Sequence, residues 1–237
     1  MYKYYTLFKA SLLDIRNEWS WYLILMFVSP LSIILFLFIV SGGGIGMSSF
    51  VSGSIVMVLG TGVFLGIGQT LAMYRFTGSL DYYSTFPLAR ISVVLAIMFR
   101  TIILSFPALI VLFVVIAAVQ GESFYLGFPF FVTLVLTSLT LAGLGAIVGI
   151  TAKNMQVASI LTQVLTPVMI YLAPVFYEPD QMPRIPMLIS YVIPTTYVAQ
   201  SIRIAMNENV FSVYTLVLLV ICLCSVVYST LILDWRE

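Results

Sequence analysis

Apolar residues in this chain come in long unbroken runs, not in the short alternations of a half-buried strand, and polar residues are confined to the gaps between them. Windows free of charge and about as long as a bilayer core of ~30 Å requires, roughly 20 helical residues, fall at Trp21–Ser41, Phe50–Met73, Thr101–Val119, Leu126–Thr151, Val157–Phe176 and Val213–Leu233. The pattern predicts an all-α membrane protein of six transmembrane helices, folded as a single domain over 1–237. Ahead of the first run, Tyr5, Phe8, Leu12, Ile15 and Trp19 recur at steps of three and four while Lys9, Arg16 and Asn17 fall elsewhere. That period predicts an N-terminal interfacial helix over 1–19 with its basic side chains toward headgroups. The alternative is a tail whose hydrophobic residues pack on the first span. No cleaved leader is expected, since Asp14 and Glu18 precede the first apolar run.

Before the last run the pattern breaks. Pro174, Pro179, Pro183 and Pro194 punctuate a weakly acidic stretch, and each proline removes a backbone donor and clashes with the preceding turn, so one regular spanning helix is excluded there. The segment 177–209 is therefore expected to form a re-entrant helical hairpin that dips in and turns back, or lies across an exit. In the fifth run Ser159, Thr162, Gln163 and Thr166 stand at i, i+3, i+4 and i+7, one polar stripe on an apolar helix that Pro167 bends. Such a stripe either bonds to a neighbouring helix or lines a hydrated path. Gly62 and Gly66, and the small residues Ser138, Ala142 and Ala146, have spacings that let helix backbones approach closely in lipid.

Charge fixes orientation. Lys3, Lys9, Arg16, Arg75, Arg90, Arg100, Lys153 and Arg236 fall on one side of a six-span topology and only Arg184 and Arg203 on the other, which places both termini in the cytoplasm and the hairpin outside it. With 62% apolar and 8% charged residues and a mean hydropathy of +1.14, the chain lies far from soluble composition. A net charge of +1 gives no footprint for nucleic acid. Histidine is absent, which removes His-metal sites and His-based catalysis together; no metal site is expected. Cys222 and Cys224 are two apart on a helix and do not face each other. The run Gly42-Gly43-Gly44-Ile45-Gly46 follows a span and not a strand, and Lys3, Lys9 and Lys153 follow Tyr, Phe and Ala, so no phosphate loop of the Gly-Lys type exists. Any ATP-driven function requires a partner polypeptide.

Between the second and third runs, Tyr74–Arg90 reads YRFTGSLDYYSTFPLAR. A Gly78-Ser79 break precedes a short helical stretch with Asp81, Tyr82 and Tyr83, and Pro87 closes it before Arg90. Residues alone leave two readings: an element built to transmit motion to a soluble partner, or a loop packed on the membrane face of its neighbours.

Two signatures near the end of the chain, Pro174-xxxx-Pro179-xx-Met182-Pro183 and Ile189-Ser190-Tyr191-xx-Pro194-xx-Tyr197-xxxx-Ile202-Arg203, resemble those of the type-2 ATP-binding-cassette (ABC) exporter permeases. The resemblance implies a membrane-spanning permease subunit that moves an amphipathic cargo of the drug, lipid or glycan class out of the cytoplasm. It implies an elbow helix over 1–19 that touches the ATPase, and a cytoplasmic coupling loop, 74–90, that docks on it through Arg75, Gly78, Asp81, Tyr82, Tyr83, Pro87 and Arg90. It places Ser159, Thr162, Gln163 and Thr166 against the translocation path. Pro174, Phe176, Tyr177, Pro179, Pro183, Tyr191, Pro194 and Tyr197 would form the outer gate. The implied partners are two ABC-type ATPase subunits, which carry the ATP and Mg, a second six-span copy or homologue, and membrane lipids; this chain itself binds no cofactor. The implied location is the cytoplasmic membrane. The competing class is a secondary transporter or membrane enzyme, against which stands the lack of Asp or Glu deep in any predicted span.

Overall fold

The computed structural model describes residues 32, 47–85, 89–119, 125–176 and 183–233. The interfacial helix over 1–19, nearly all of the first span, Pro87, Tyr177 and Pro179 lie outside the described residues. Within them every regular element is helical. Helix α1 (Met47–Leu59) runs through a π-helical stretch, Gly60–Leu65, into α2 (Gly66–Phe76), and a short α3 (Ser79–Ser84) follows. Then come α4 (Arg90–Val119), α5 (Phe128–Thr151), α6 (Met155–Tyr171), α7 (Arg184–Ser190), α8 (Pro194–Asn207) and α9 (Val213–Ile232).

Four of these are long and apolar enough to cross a membrane: Ser48–Phe76, Arg90–Val114, Phe128–Thr151 and Val213–Ile232. The expected fifth span, Val157–Phe176, is shorter than the hydropathy run. Helix α6 has 17 residues, about 26 Å at 1.5 Å per residue, and the chain turns from Leu172 onward. The proline-rich segment forms α7 and α8, bent by 90° at their junction, the geometry of a broken span or a re-entrant loop. Pro194 opens α8 at its first turn, where a missing N–H costs nothing.

Helix α5 is the central post, packed on α2, α4, α6, α8 and α9. Its approach to α2 depends on bare backbone: a Cβ on Gly145 would collide with the Phe64 carbonyl, and one on Gly149 with the Gly68 carbonyl. Gly143 likewise leaves room for Ser225 of α9. In lipid, where dispersion drives helix association, such contacts are the means of close packing. Gly62 and Gly66 do the same on the α4 side, their absent Cβ positions lying 2.7 Å from Ser105 Oγ and 3.2 Å from Thr101 Cγ2. The small-residue spacings seen in the sequence are thus filled within one chain.

Helix ends are closed by side chains as well as by backbone. Asn154 caps α6 by accepting from the Val157 N–H at 2.7 Å. Two arginines serve helix C-terminal ends, where unpaired carbonyls and the negative pole of the helix dipole favour a cation, and a third serves the turn after α6. Arg75 donates to Ile150 and Ala152 at the end of α5, Arg90 to the Leu233 carbonyl beyond α9 at 3.1 Å, and Arg203 to the carbonyls of Pro174 and Val175 beyond α6.

Candidate functional site

Two features share one end of the bundle. The first is α3. Helix α2 ends at Thr77, whose N–H and hydroxyl both donate to the Met73 carbonyl. Gly78 then takes φ +74°, the left-handed conformation in which a side chain is strained, and this reverses the chain into α3. Leu80 is buried and anchors α3, while Asp81 stands exposed in its first turn, where a carboxylate suits the helix dipole.

The adjacent tyrosines divide. Tyr82 is 64% exposed. Tyr83 turns inward, its ring 6.3 Å from that of buried Tyr74, and the Tyr74 hydroxyl accepts from the Arg100 guanidinium at 2.5 Å. A continuous chain of contacts therefore runs from α3 through α2 into α4. Arg75, stacked on the Phe76 ring at 5.3 Å, ties the same end of α2 to α5, and Arg90 ties the start of α4 to the end of α9. Of the residues expected to couple to a partner, Asp81 and Tyr82 are displayed, whereas Tyr83, Arg75 and Arg90 are engaged within the chain.

The second feature is a groove of about 580 Å³ between the α1–α2 span and α4, reaching the start of α6. Val58, Leu65, Leu104 and Ala108 give it apolar walls, with Met73 and Met155 at the α3 end. Its polar lining is Thr61, Gln69, Thr70, Arg100, Thr101 and Ser105. The π-helical stretch contributes Thr61 and Gly62 to this wall; such stretches often mark functional sites.

The polar stripe of α6 does not stay together. Thr162 and Thr166 are buried, their hydroxyls returned to the helix's own carbonyls, and the Thr162 methyl lies 2.5 Å from where a Gly68 Cβ would stand. Gln163 is exposed and donates to Ser159 Oγ at 2.8 Å, an oxygen that also accepts from Gln69 at 3.3 Å. Two of the four stripe residues thus pack helix on helix, and Ser159 bridges to the groove.

At the opposite end, Phe176 fills the space over Gly53, and Tyr197 donates from its hydroxyl to the Tyr191 carbonyl at 2.8 Å. Pro174 is buried and Pro183 exposed, and Pro194 begins α8. Arg203, expected from sequence as a far-side charge and as the end of the Ile189–Arg203 signature but given no role at the gate, organises this region. It is 5% exposed and binds Ser52 of α1 besides the two carbonyls beyond α6. A sequence signal existed: Arg203 lies on the stripe of Thr195, Val198, Ala199, Ile202 and Met206, which is the buried face of α8.

No curated protein matches the chain. The family model described as ABC-2 type transporter matches residues 2–207, a range that takes in α3, the groove and the α7–α8 pair. A domain of that kind is a non-catalytic transmembrane permease subunit that normally works with ABC ATPase partners. This chain of apolar helices, an integral multi-pass membrane protein, belongs to the ABC-2 type transporter family as the permease component of an ABC transporter.

Proposed function

We propose that the chain is one membrane-spanning half of an ATP-driven exporter, in which α3 is the element gripped by a separate ATPase. The observation that carries this reading is the combination of exposure and attachment at α3. Asp81 and Tyr82 face outward, while Leu80 and the Tyr83–Tyr74–Arg100 chain bind the same helix to α2 and α4. A displacement imposed on α3 therefore moves packed helices, which is what transmission between subunits requires. The excess of Lys and Arg on the α3 side supports a cytoplasmic position for that end, in a chain that would sit in the plasma membrane.

Two ATPase subunits carrying ATP and Mg would act on a pair of such permease chains, and the N-terminal 1–19 helix would add to the grip. Cargo would be an amphipathic molecule led out past the α7–α8 pair, with Pro174, Phe176, Tyr177, Pro179, Pro183, Tyr191, Pro194 and Tyr197 as the outer rim. Asp81→Ala and Tyr82→Ala should each cut permease-dependent ATP turnover in a reconstituted complex at least tenfold while insertion and thermal stability hold. Turnover at the wild-type rate in both variants would remove α3 from the coupling role.

A further inference from the structure

The groove beside α2 carries one charged side chain, Arg100. Its hydroxyls are satisfied by the helices that bear them: Thr61 donates to Met57, Thr70 to Gly66, Thr101 to Ile97 and Ser105 to Thr101. Gln69 donates to Ser159. Arg100 is different. One arm of its guanidinium donates to Tyr74, but among the described residues Nε has no acceptor, and a guanidinium that keeps its charge beside an apolar groove favours an anion.

Position adds to this. Tyr74 and Met155 stand at the end of the α1–α2 span and the start of α6, so Arg100 lies at the level where a bilayer's headgroups begin, with the Arg90–Phe99 part of α4 extending beyond. From that level the groove runs toward Val58 and Ala108. Val58 is 15 residues from Met73, about 22 Å along the helix. The groove thus has a cationic mouth, a long apolar body and a volume within the range of ligand sites.

We propose that this groove binds an anionic amphiphile of phosphate or carboxylate type, its head on Arg100 and its alkyl chain between α2 and α4. The proposal rests on the permease reading for its meaning but not for its test, since binding needs neither ATPase nor ATP. An anion in the groove would pair with the charge of the same guanidinium that holds Tyr74, and Tyr74 in turn packs on Tyr83 of α3.

The full chain, purified in a neutral maltoside, is titrated with dodecyl phosphate, dodecylphosphocholine and inorganic phosphate, with binding read by native mass spectrometry. The expected result is saturable binding of dodecyl phosphate at least tenfold tighter than dodecylphosphocholine, and no saturable binding of inorganic phosphate. Arg100→Gln should bring the two amphiphiles within twofold of each other, and Arg100→Lys should keep most of the preference. Leu104→Trp, which fills the groove, should weaken both at least tenfold. Equal affinities in the wild type, or an unchanged preference in Arg100→Gln, would overturn the proposal. Because Arg100→Gln is open to misfolding, a diazirine-tailed dodecyl phosphate supplies a wild-type measurement. Crosslinks within 58–73 and 100–108 support the site, and crosslinks confined to 220–231 on α9 overturn it. In the assembled complex, loss of the bound amphiphile on adding ATP identifies it as cargo, and retention identifies it as a resident lipid; either keeps the site.

Discussion

Arg203 donates to the carbonyl of Val175 at 2.6 Å, across 28 residues of sequence, and so fastens α8 to the place where α6 ends. The same side chain reaches Ser52 of α1 at 3.0 Å and Pro174 at 2.9 Å. A guanidinium is suited to this because its donors are fixed in a planar fork and its charge is weakly hydrated. The chain turns at Leu172–Phe176 with Ala173, Pro174 and Val175 buried, and buried backbone carbonyls need partners from the protein. Arg203 supplies them.

Arg203→Gln is therefore expected to lower unfolding free energy by about 2–3 kcal/mol, the scale of lost hydrogen bonds to a charged group. Arg203→Lys should recover less than half, since an ammonium cannot span Ser52 and two carbonyls with the same geometry. Denaturant titration in detergent micelles reads both. A change below about 0.5 kcal/mol in the Gln variant, the scale of an ordinary surface substitution, would mean that the carbonyls find other partners.

Close packing at α5 gives a second expectation. Gly149→Ala places a methyl group on the Gly68 backbone, which cannot rotate away, and overpacking of this kind costs about 1–3 kcal/mol. Gly60→Ala is the comparison: its new methyl would stand 3.3 Å from Cδ1 of Ile170, the far end of a flexible side chain that can yield a few tenths of an ångström, and should cost less than Gly149→Ala. Melting temperatures of the two variants should therefore separate clearly, and equal values would show that α2 and α5 can move apart at no cost.

The spanning helices were legible in the sequence because hydropathy is a local property, and four of them appear where the runs predict. The bend before the last helix was legible for the same reason, in its prolines. The end of α6 was not, since an apolar run extends through turn residues as readily as through helix. The stripe on α6 misleads by width: residues at i, i+3, i+4 and i+7 span roughly 100° of the helix surface, enough for Thr162 to be buried while Gln163 is exposed. The arginine caps are long-range by nature. Arg75 and Arg90 find their carbonyls 75 to 77 and 143 residues away, and nothing near them in the chain announces it.

The link from α3 to the bundle predicts a division between neighbouring tyrosines. Tyr83→Ala removes the ring packed on Tyr74 and should lower stability by about 1–2 kcal/mol, an aromatic pair contributing about 0.5–1.5 kcal/mol beyond its buried area. Tyr82→Ala, at an exposed site, should leave the melting temperature unchanged and act only on ATP turnover in the complex. Equal loss of stability in both variants would mean that α3 packs on something other than Tyr74.

Gln163 offers the sharpest separation of structure from transport. Its amide donates to Ser159 on the same exposed turn of helix, and Gln69 donates to the same oxygen from α2, so removing the amide leaves Ser159 with an acceptor role already filled. Gln163→Leu is thus expected to cost no more than about 0.5 kcal/mol, as for other exposed substitutions. Loss of the amide on a face that would meet passing cargo should instead change relative transport of neutral and charged amphiphiles several-fold in reconstituted vesicles. A lowered melting temperature with unaltered transport per folded complex would assign Gln163 to packing, and with it the whole of the α6 stripe.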